Sequence, residues 1–436
     1  MKIHPNFIKQ EIEGFGVSGA WWAQAIGCWQ KDKRDKILSL LFDPEIGIGL
    51  TMYRHNLGGG LREAKDNWRN TFCVMNDDGA VNLDNDKNAL TILKEAYALG
   101  ASKLIAFVNS PPWWMTLSGC AAGQFDGTSN LSKDNYRMFC NYIIKVVTEI
   151  EKQLHVPISY ISPINEPKWD WNIKKGQEGC HYEPEESAVL VQTLLKAVRE
   201  HSMSCKVTAV DAEDWESAPI YYNAMYEQNE HGPHNFSIHS YWSNVSDKKK
   251  ALSLIDRHKI PSLWMSEWTE MEEGRDEGID SAMVLANVLH DDMTVAHVNS
   301  WQYWIGVSKY DYRDGLIYVE EDTRKIVPTK RLWALGNYSR FIKEGWHRIE
   351  VHNEQAEIIK ISAYINSNAS KVAAVAINNS KEAQEVDCCF DLWNASQTVY
   401  ETSVKNNLAL VYSGKQLNKY LLPPQSINTI LWSKQN

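Results

Sequence analysis

Short runs of consecutive apolar residues alternate with stretches of helical periodicity along most of the chain. The first run is GFGVSGAWW, Gly14–Trp22, followed by a helical pattern over Asp35–Phe42 that Pro44 ends. IGIGLTMYRHNLGGG at 46–60 precedes a helix over Lys87–Leu99, closed by Gly100. SKLIAFVNSPPWWM, starting at Ser102, precedes a helix over Lys133–Leu154 with Ser132 placed as its N-cap. ISYISPINEP at 158–167 leads to Glu185–His201, and KVTAVDAED at 206–214 leads to Ala218–Gln228. FSIHSYW at 236–242 leads to Asp247–His258, SLWMSEWTE at 262–270 to Asp280–Ala296, and SWQYWIG at 300–306 to Thr329–Ile342.

Each strand-like run is continuously apolar until its end, as a parallel strand buried on both faces must be. Eight β-α units in this order predict a (β/α)8 TIM barrel over residues 14–343. A doubly wound open sheet is the alternative, though it rarely needs so many regular units.

The pattern changes after Gly345. KISAYINS, KVAAVAINN, QEVDCCFDL, SQTVYETS, LALVYSG and SINTILW are short runs divided by Asn, Ser, Gly and Pro, and several alternate polar with apolar. They predict an antiparallel β-sandwich over 344–436, joined by an N-terminal strand within 1–13 and packed on the side of the barrel.

Composition narrows the function. With 436 residues, 44% hydrophobic and 23% charged, the chain is neither disordered nor a disulfide miniprotein. A net charge of −10 argues against nucleic acid and anionic membranes as partners. No apolar stretch approaches the roughly 18 residues of a membrane span. The start, MKIHPNFIKQEIEG, shows no signal-peptide core, which leads to the expectation of a cytoplasmic protein, or a secreted one if a leader has been removed. The eight cysteines form no CxxC pair and read as free thiols in a reducing compartment. Oligomeric state is not legible.

The aromatic residues are unusual. Trp 18 and Tyr 19 outnumber Phe 10, so most rings carry a polar edge suited to wet recognition surfaces. Twelve tryptophans (Trp21, Trp22, Trp113, Trp114, Trp169, Trp171, Trp215, Trp242, Trp264, Trp268, Trp301 and Trp304) fall at or just past strand ends. This favours a sugar-stacking cleft over a Trp-rich core.

Catalytic groups of such a barrel sit at the C-terminal ends of its strands. The fourth strand ends in Asn165-Glu166-Pro167 and the seventh in Ser266-Glu267-Trp268. A carboxylate directly after a buried strand is costly to desolvate. Strands four and seven face each other across the mouth, so the two Glu oppose one another there. Retaining glycosidases hold two carboxyls about 5–5.5 Å apart, one as nucleophile and one as acid/base.

Other signals are weaker. Gly14–Gly19 spells GxGxxG, but AWWAQAIG after it is a poor helix, and the acids Asp32 and Asp35 lie in the charged run QKDKRDK. Gly58-Gly59-Gly60 lacks the Lys-Ser/Thr of a phosphate loop and is expected to let a loop approach the ligand. HGPH at 231–234 reads as a turn, and no HExxH occurs, so no metal is expected.

The ordered set GFGVSGAWW, YRHNLGGG, NSPPWWM, ISPINEPKWDW, IHSYW, WMSEWTE and NYSRFIKEGWHRI resembles glycoside hydrolase family 30, from Gly14 to the final SINTILW. The resemblance implies a retaining β-glycosidase with no cofactor and a carbohydrate as its partner. It implies Glu166 as acid/base and Glu267 as nucleophile. It places Asn165 on the sugar 2-OH, Arg54 and Tyr241 on the nucleophile, and His239 beside them. Trp304 is implied as the platform under the scissile sugar, Trp113 as a wall of that subsite and Trp22 as a neighbour. The opening SGAWWA and YRHNLGGG look most like the β-1,6-galactanase branch, with the loop Lys168–His181 shaping further subsites. The stretch IGVSKYDYRDGLIY lacks the paired arginines of the glucuronoxylanase branch, leaving Arg313 and Lys309 to meet any acidic group. β-1,6-Glucanase, xylanase or xylosidase and glucosylceramidase-like activities are the alternatives within the family. A non-catalytic carbohydrate-binding protein is the alternative outside it.

Overall fold

The computed structural model describes all residues except 62, 63, 65, 228–231, 389–393 and 436. His231 of the HGPH turn and Cys389 therefore lie outside the described residues. An N-terminal strand β1 (Lys2–Glu11) precedes eight parallel strands. These are β2 (Gly14–Ser18), β3 (Met52–Asn56), β4 (Lys103–Phe107), β5 (Tyr160–Ser162), β6 (Lys206–Ala212), β7 (Asn235–His239), β8 (Ser262–Glu267) and β9 (Ser300–Ser308). Each pairs with the next, and β9 returns to pair with both β8 and β2. That last pairing closes the barrel and excludes the open doubly wound sheet.

The helices are α1 (Trp22–Ile26), α2 (Lys31–Phe42), α3 (Lys87–Ala98), α4 (Tyr136–Leu154), α5 (Pro184–Glu200), α6 (Ala218–Tyr222), α7 (Val245–Leu254), α8 (Ile279–Thr294) and α9 (Lys330–Ser339). The apolar face of α4, including Phe139, Ile143, Val146, Val147 and Ile150, is buried. The same periodicity marks that segment in the sequence. Pro184 opens α5, and a reciprocal capping box joins Glu183 to Glu186. Ser132 does not cap through its side chain; a 3-10 turn, Lys133–Asn135, leads into α4 instead. The pattern over Ala218–Gln228 divides into α6 and a π-helical turn, Asn223–Glu227.

A hairpin with no counterpart in the sequence pattern follows the eighth barrel strand. It is made of β10 (Gly315–Val319), parallel to β9, and β11 (Ile326–Pro328). Its three pairing positions on β11 are too few to show periodicity. Then come β12 (His347–His352), β13 (Ile359–Ile365), β14 (Lys371–Asn378), β15 (Gln384–Asp387), β16 (Ala395–Thr402), β17 (Ala409–Lys415), β18 (Lys419–Leu422) and β19 (Ser426–Lys434). Seven strands form one antiparallel sheet in the order β1-β12-β13-β14-β19-β16-β17, and β15 pairs with β18 separately. Ile349, Ile361, Val372, Val399, Ile430 and Trp432 belong to a core of their own. The opposite side chains of β13, β14 and β19, such as Tyr364, Val375 and Ile427, join the barrel core. The protein is a TIM barrel with a side-packed β-sandwich.

Among the described residues Cys28, Cys73, Cys120, Cys140, Cys180 and Cys205 are free thiols, and no helix is long and apolar enough to cross a membrane.

Candidate active site

A cleft of about 720 Å³ opens at the C-terminal ends of the barrel strands. Glu166 and Glu267 both line it, with Asn165, Tyr241 and Trp304. A carboxylate oxygen of each Glu and a ring nitrogen of His239 all lie within 4.8 Å of one another. His239, at the end of β7, places Nδ1 3.3 Å from Glu166 Oε1 and 3.8 Å from Glu267 Oε1. Its Nε2 is buried with no hydrogen-bond partner among the described residues.

The two carboxyls have different partners. Arg54 Nη1 donates to Glu267 Oε2 at 2.9 Å and to the Ser266 carbonyl at 2.9 Å. Tyr241 donates its hydroxyl to Glu267 Oε1 at 3.2 Å. Among the described residues no Lys or Arg pairs with Glu166, whose neighbour is the His239 ring. Burial pushes both carboxyls up. At Glu267 the neighbouring His239 and Arg54 pull back; at Glu166 Arg54 also pulls back, Asp211 opposes it, and the carboxyl is carried to about 7. Burial lowers the His239 pKa, against the opposing pull of Glu267 and Asp211.

Arg54 is itself held from several sides. Nη2 donates to Asp211 Oδ2 at 3.2 Å and to Asn165 Oδ1 at 3.4 Å, and the guanidinium carbon lies 4.2 Å from the Phe107 ring centroid. Asp211 also accepts from Ser162 and Ser266, each at 2.5 Å. This network ties β3, β5, β6 and β8 into one rigid unit. Accepting from Arg54 through Oδ1 leaves the Asn165 Nδ2 group to donate elsewhere. Glu166, Asp211 and Trp242 all adopt positive φ (46°, 50° and 51°), backbone strain gathered at the barrel mouth.

Glu166, His239 and Glu267 have the composition of a metal site. Arg54 and Tyr241 already occupy both oxygens of Glu267, so a cation there would compete with a fixed guanidinium.

Other sequence-derived residues are placed differently. Trp22 is 0% exposed and donates Nε1 to the Ser18 carbonyl at 2.8 Å, packing on Tyr53; it is a core residue. Its neighbour Trp21 lines the cleft and meets Trp304 edge to face at 5.3 Å. Trp113 is 46% exposed and lies over Gly60, outside the cleft lining. Five of the twelve strand-end tryptophans line the cleft: Trp21, Trp169, Trp171, Trp242 and Trp304. Trp22, Trp215, Trp264, Trp268 and Trp301 are buried in the core, Trp264 and Trp301 because they lie on the barrel strands β8 and β9 themselves. The glycines 58–60 do not face the cleft. A side chain there would strike Phe72, Pro111 or Trp113, and Gly59 N–H donates to Glu178 at 2.6 Å. Arg313 pairs with Glu270 at 2.8 Å, and Lys309 with Asp66 and Glu321 at 3.1 and 2.9 Å, so both are satisfied within the protein.

Several cleft residues carry no local sequence signal. The loop 168–181 brings Lys175 and Gln177 to the cleft with Trp169 and Trp171. Arg69 lines it between Trp21 and Tyr310, 4.6 and 5.4 Å from their ring centroids. Behind Glu166, the buried Glu213 accepts the backbone N–H groups of Lys168 and Trp169 and is pushed to about 8, first by burial and then by Glu166. Asp211 and Glu213 end the fifth apolar run, so the strand-end rule that selects Glu166 would also have found them.

The closed barrel and its facing carboxyls define a glycoside hydrolase. The O-glycosyl hydrolase family 30 model matches residues 1–259 and 233–318, and the chain belongs to that family. It is 23% identical over 374 residues to an endo-β-1,6-galactanase of Hypocrea rufa, covering 79% of this chain and 75% of that one. It is 20% identical over 408 residues to an exo-β-1,6-galactobiohydrolase of Bifidobacterium longum subsp. longum, covering 69% of this chain and 27% of that longer protein. The crystal structure of a conserved exported protein from Bacteroides fragilis superposes with a TM-score of 0.88 at 26% identity, covering 98% of this chain and 99% of that one.

Proposed function

We propose that this glycoside hydrolase cleaves β-1,6-linked galactan or its oligosaccharides, with Glu267 as nucleophile and Glu166 as acid/base. The observation that carries the catalytic assignment is the unequal pairing of the two carboxyls. Arg54 and Tyr241 hold Glu267 as an oriented anion, while buried Glu166 keeps its proton near neutral pH. Glu267 attacks the anomeric carbon as Glu166 protonates the departing oxygen. Glu166 then removes a proton from water, which releases the sugar from Glu267 with its configuration retained. Asn165 Nδ2 donates to the 2-OH, a contact that tightens in the transition state. Trp304 and Trp21 form the apolar corner on which the sugar ring packs.

The linkage is supported by the names of two curated relatives, an endo-β-1,6-galactanase and an exo-β-1,6-galactobiohydrolase. The test is a panel of β-1,6-galactan, β-1,6-galactooligosaccharides, β-1,6-glucan and xylan, with product sizing. Preferential release of galactose or short galactooligosaccharides is expected. Strong activity on another β-glycan with none on galactan overturns the substrate assignment.

A further inference from the structure

A second polar cavity, about 350 Å³, shares no lining residue with the catalytic cleft. It sits where β1, β12 and β13 of the large antiparallel sheet meet the C-terminal half of α8 on the barrel. Lys9, His290, His297 and Arg348 line it, with Glu350 the one carboxylate among the lining residues. Lys9 neutralises Glu350 at 2.7 Å. Arg348 is buried, and no carboxylate lies within ion-pair distance of it among the described residues. Its Nε donates to Gln10 Oε1 at 3.0 Å and its Nη2 to His297 Nδ1 at 2.9 Å, both uncharged acceptors. His290 is 8% exposed, and its Nδ1 is buried without a hydrogen-bond partner among the described residues.

We propose that this cavity binds a small tetrahedral oxyanion, phosphate or sulfate, which braces the sheet against the barrel. A buried guanidinium with no counter-ion and a buried imidazole with no partner are both costly features. One anion between them answers both. Its oxygens would accept from Arg348 on β12, from His290 on α8 and from Lys9 on β1. These donors approach from three elements, which suits oxygens pointing in several directions better than a planar carboxylate.

The surrounding charges agree. Lys360, beside the cavity, is spent on Asp291 at 2.7 Å, and Arg257 stands behind His297, donating to its carbonyl at 3.5 Å. Burial, then Lys360 and Arg348, push His290 down to about 3. Burial, then Arg348, Lys9 and Arg257, push His297 to about 4. Neutral His290 can still donate by carrying its proton on Nδ1.

The test is calorimetric titration of the full chain with inorganic phosphate, sulfate and acetate at constant ionic strength. Saturable binding of phosphate or sulfate, with acetate at least tenfold weaker, is expected. Arg348→Gln should weaken phosphate at least tenfold. Lys9→Gln, at the accessible rim, should do likewise, because it also frees the Glu350 carboxylate to repel the anion. Glycosidase activity should be unchanged in Lys9→Gln. No saturable binding by wild type, or wild-type affinity in folded Lys9→Gln, overturns the proposal.

Discussion

Arg54 Nη1 lies 2.9 Å from Glu267 Oε2, and both side chains are almost fully buried, at 1% and 5% exposure. The pair crosses the barrel from β3 to β8. Arg54 pairs directly with one carboxyl in a cleft that holds two, and its charge lowers the pKa of both.

Removing the cation should therefore damage both stability and chemistry. Arg54→Gln leaves the Glu267 and Asp211 carboxylates buried without their counter-charge. Breaking a buried pair in this way costs about 3–5 kcal/mol. Since Arg54 lowers the Glu267 pKa, its loss raises that pKa, and the acidic limb of the kcat/KM profile moves to higher pH. A thermal melt and a pH profile check the two effects together.

In the proposed mechanism Glu166 sets the other limb. An acid must be protonated to act, so activity falls as pH rises through its pKa, near 7. Glu166→Gln should lose roughly 10²–10⁴-fold in kcat on galactan and lose the basic limb. A 2,4-dinitrophenyl β-glycoside, whose leaving group needs no proton, should show a much smaller loss in its first step, read as the burst of phenolate.

Glu213 stands behind that limb. Burial and then the Glu166 charge raise the Glu213 carboxyl to about 8, above Glu166 at about 7, so Glu213 keeps its proton while Glu166 titrates. Glu213→Gln keeps an oxygen for the Lys168 and Trp169 N–H groups and mimics that neutral acid. The basic limb should stay in place with little change in the limiting kcat. A limb moved to lower pH would show Glu213 ionised beside Glu166.

The adjacent tryptophans should behave differently. Trp21→Ala strips a wall of the cleft and should raise KM several-fold with the fold intact. Trp22→Ala opens the core and should cost about 3–5 kcal/mol of stability, read by denaturant unfolding.

The barrel was legible because its strands are buried on both faces and its helices on one, so period and composition mark each unit. Glu166 and Glu267 were legible because a carboxylate ending a buried run is costly unless the site at that strand end uses it. The tryptophans were harder. Trp21 and Trp22 are neighbours, and one faces the cleft while the other faces Tyr53; composition has no access to that rotation. The β10–β11 hairpin and β18 were missed because their runs are short, and β12 because its apolar residues alternate with His, Arg and Glu just past Gly345. Arg54's bond to Asp211 depends on which residues the closed barrel brings together, a long-range fact that no local pattern carries.

The central claim is that Glu267 forms the covalent bond to the sugar. The direct test is trapping with a 2-deoxy-2-fluoro β-galactoside bearing a good leaving group, followed by peptide mass spectrometry. One fluorosugar per chain on the peptide containing Glu267, absent in Glu267→Gln, is the predicted result. A label on Glu166 or elsewhere, or turnover giving an inverted α-product, would contradict it.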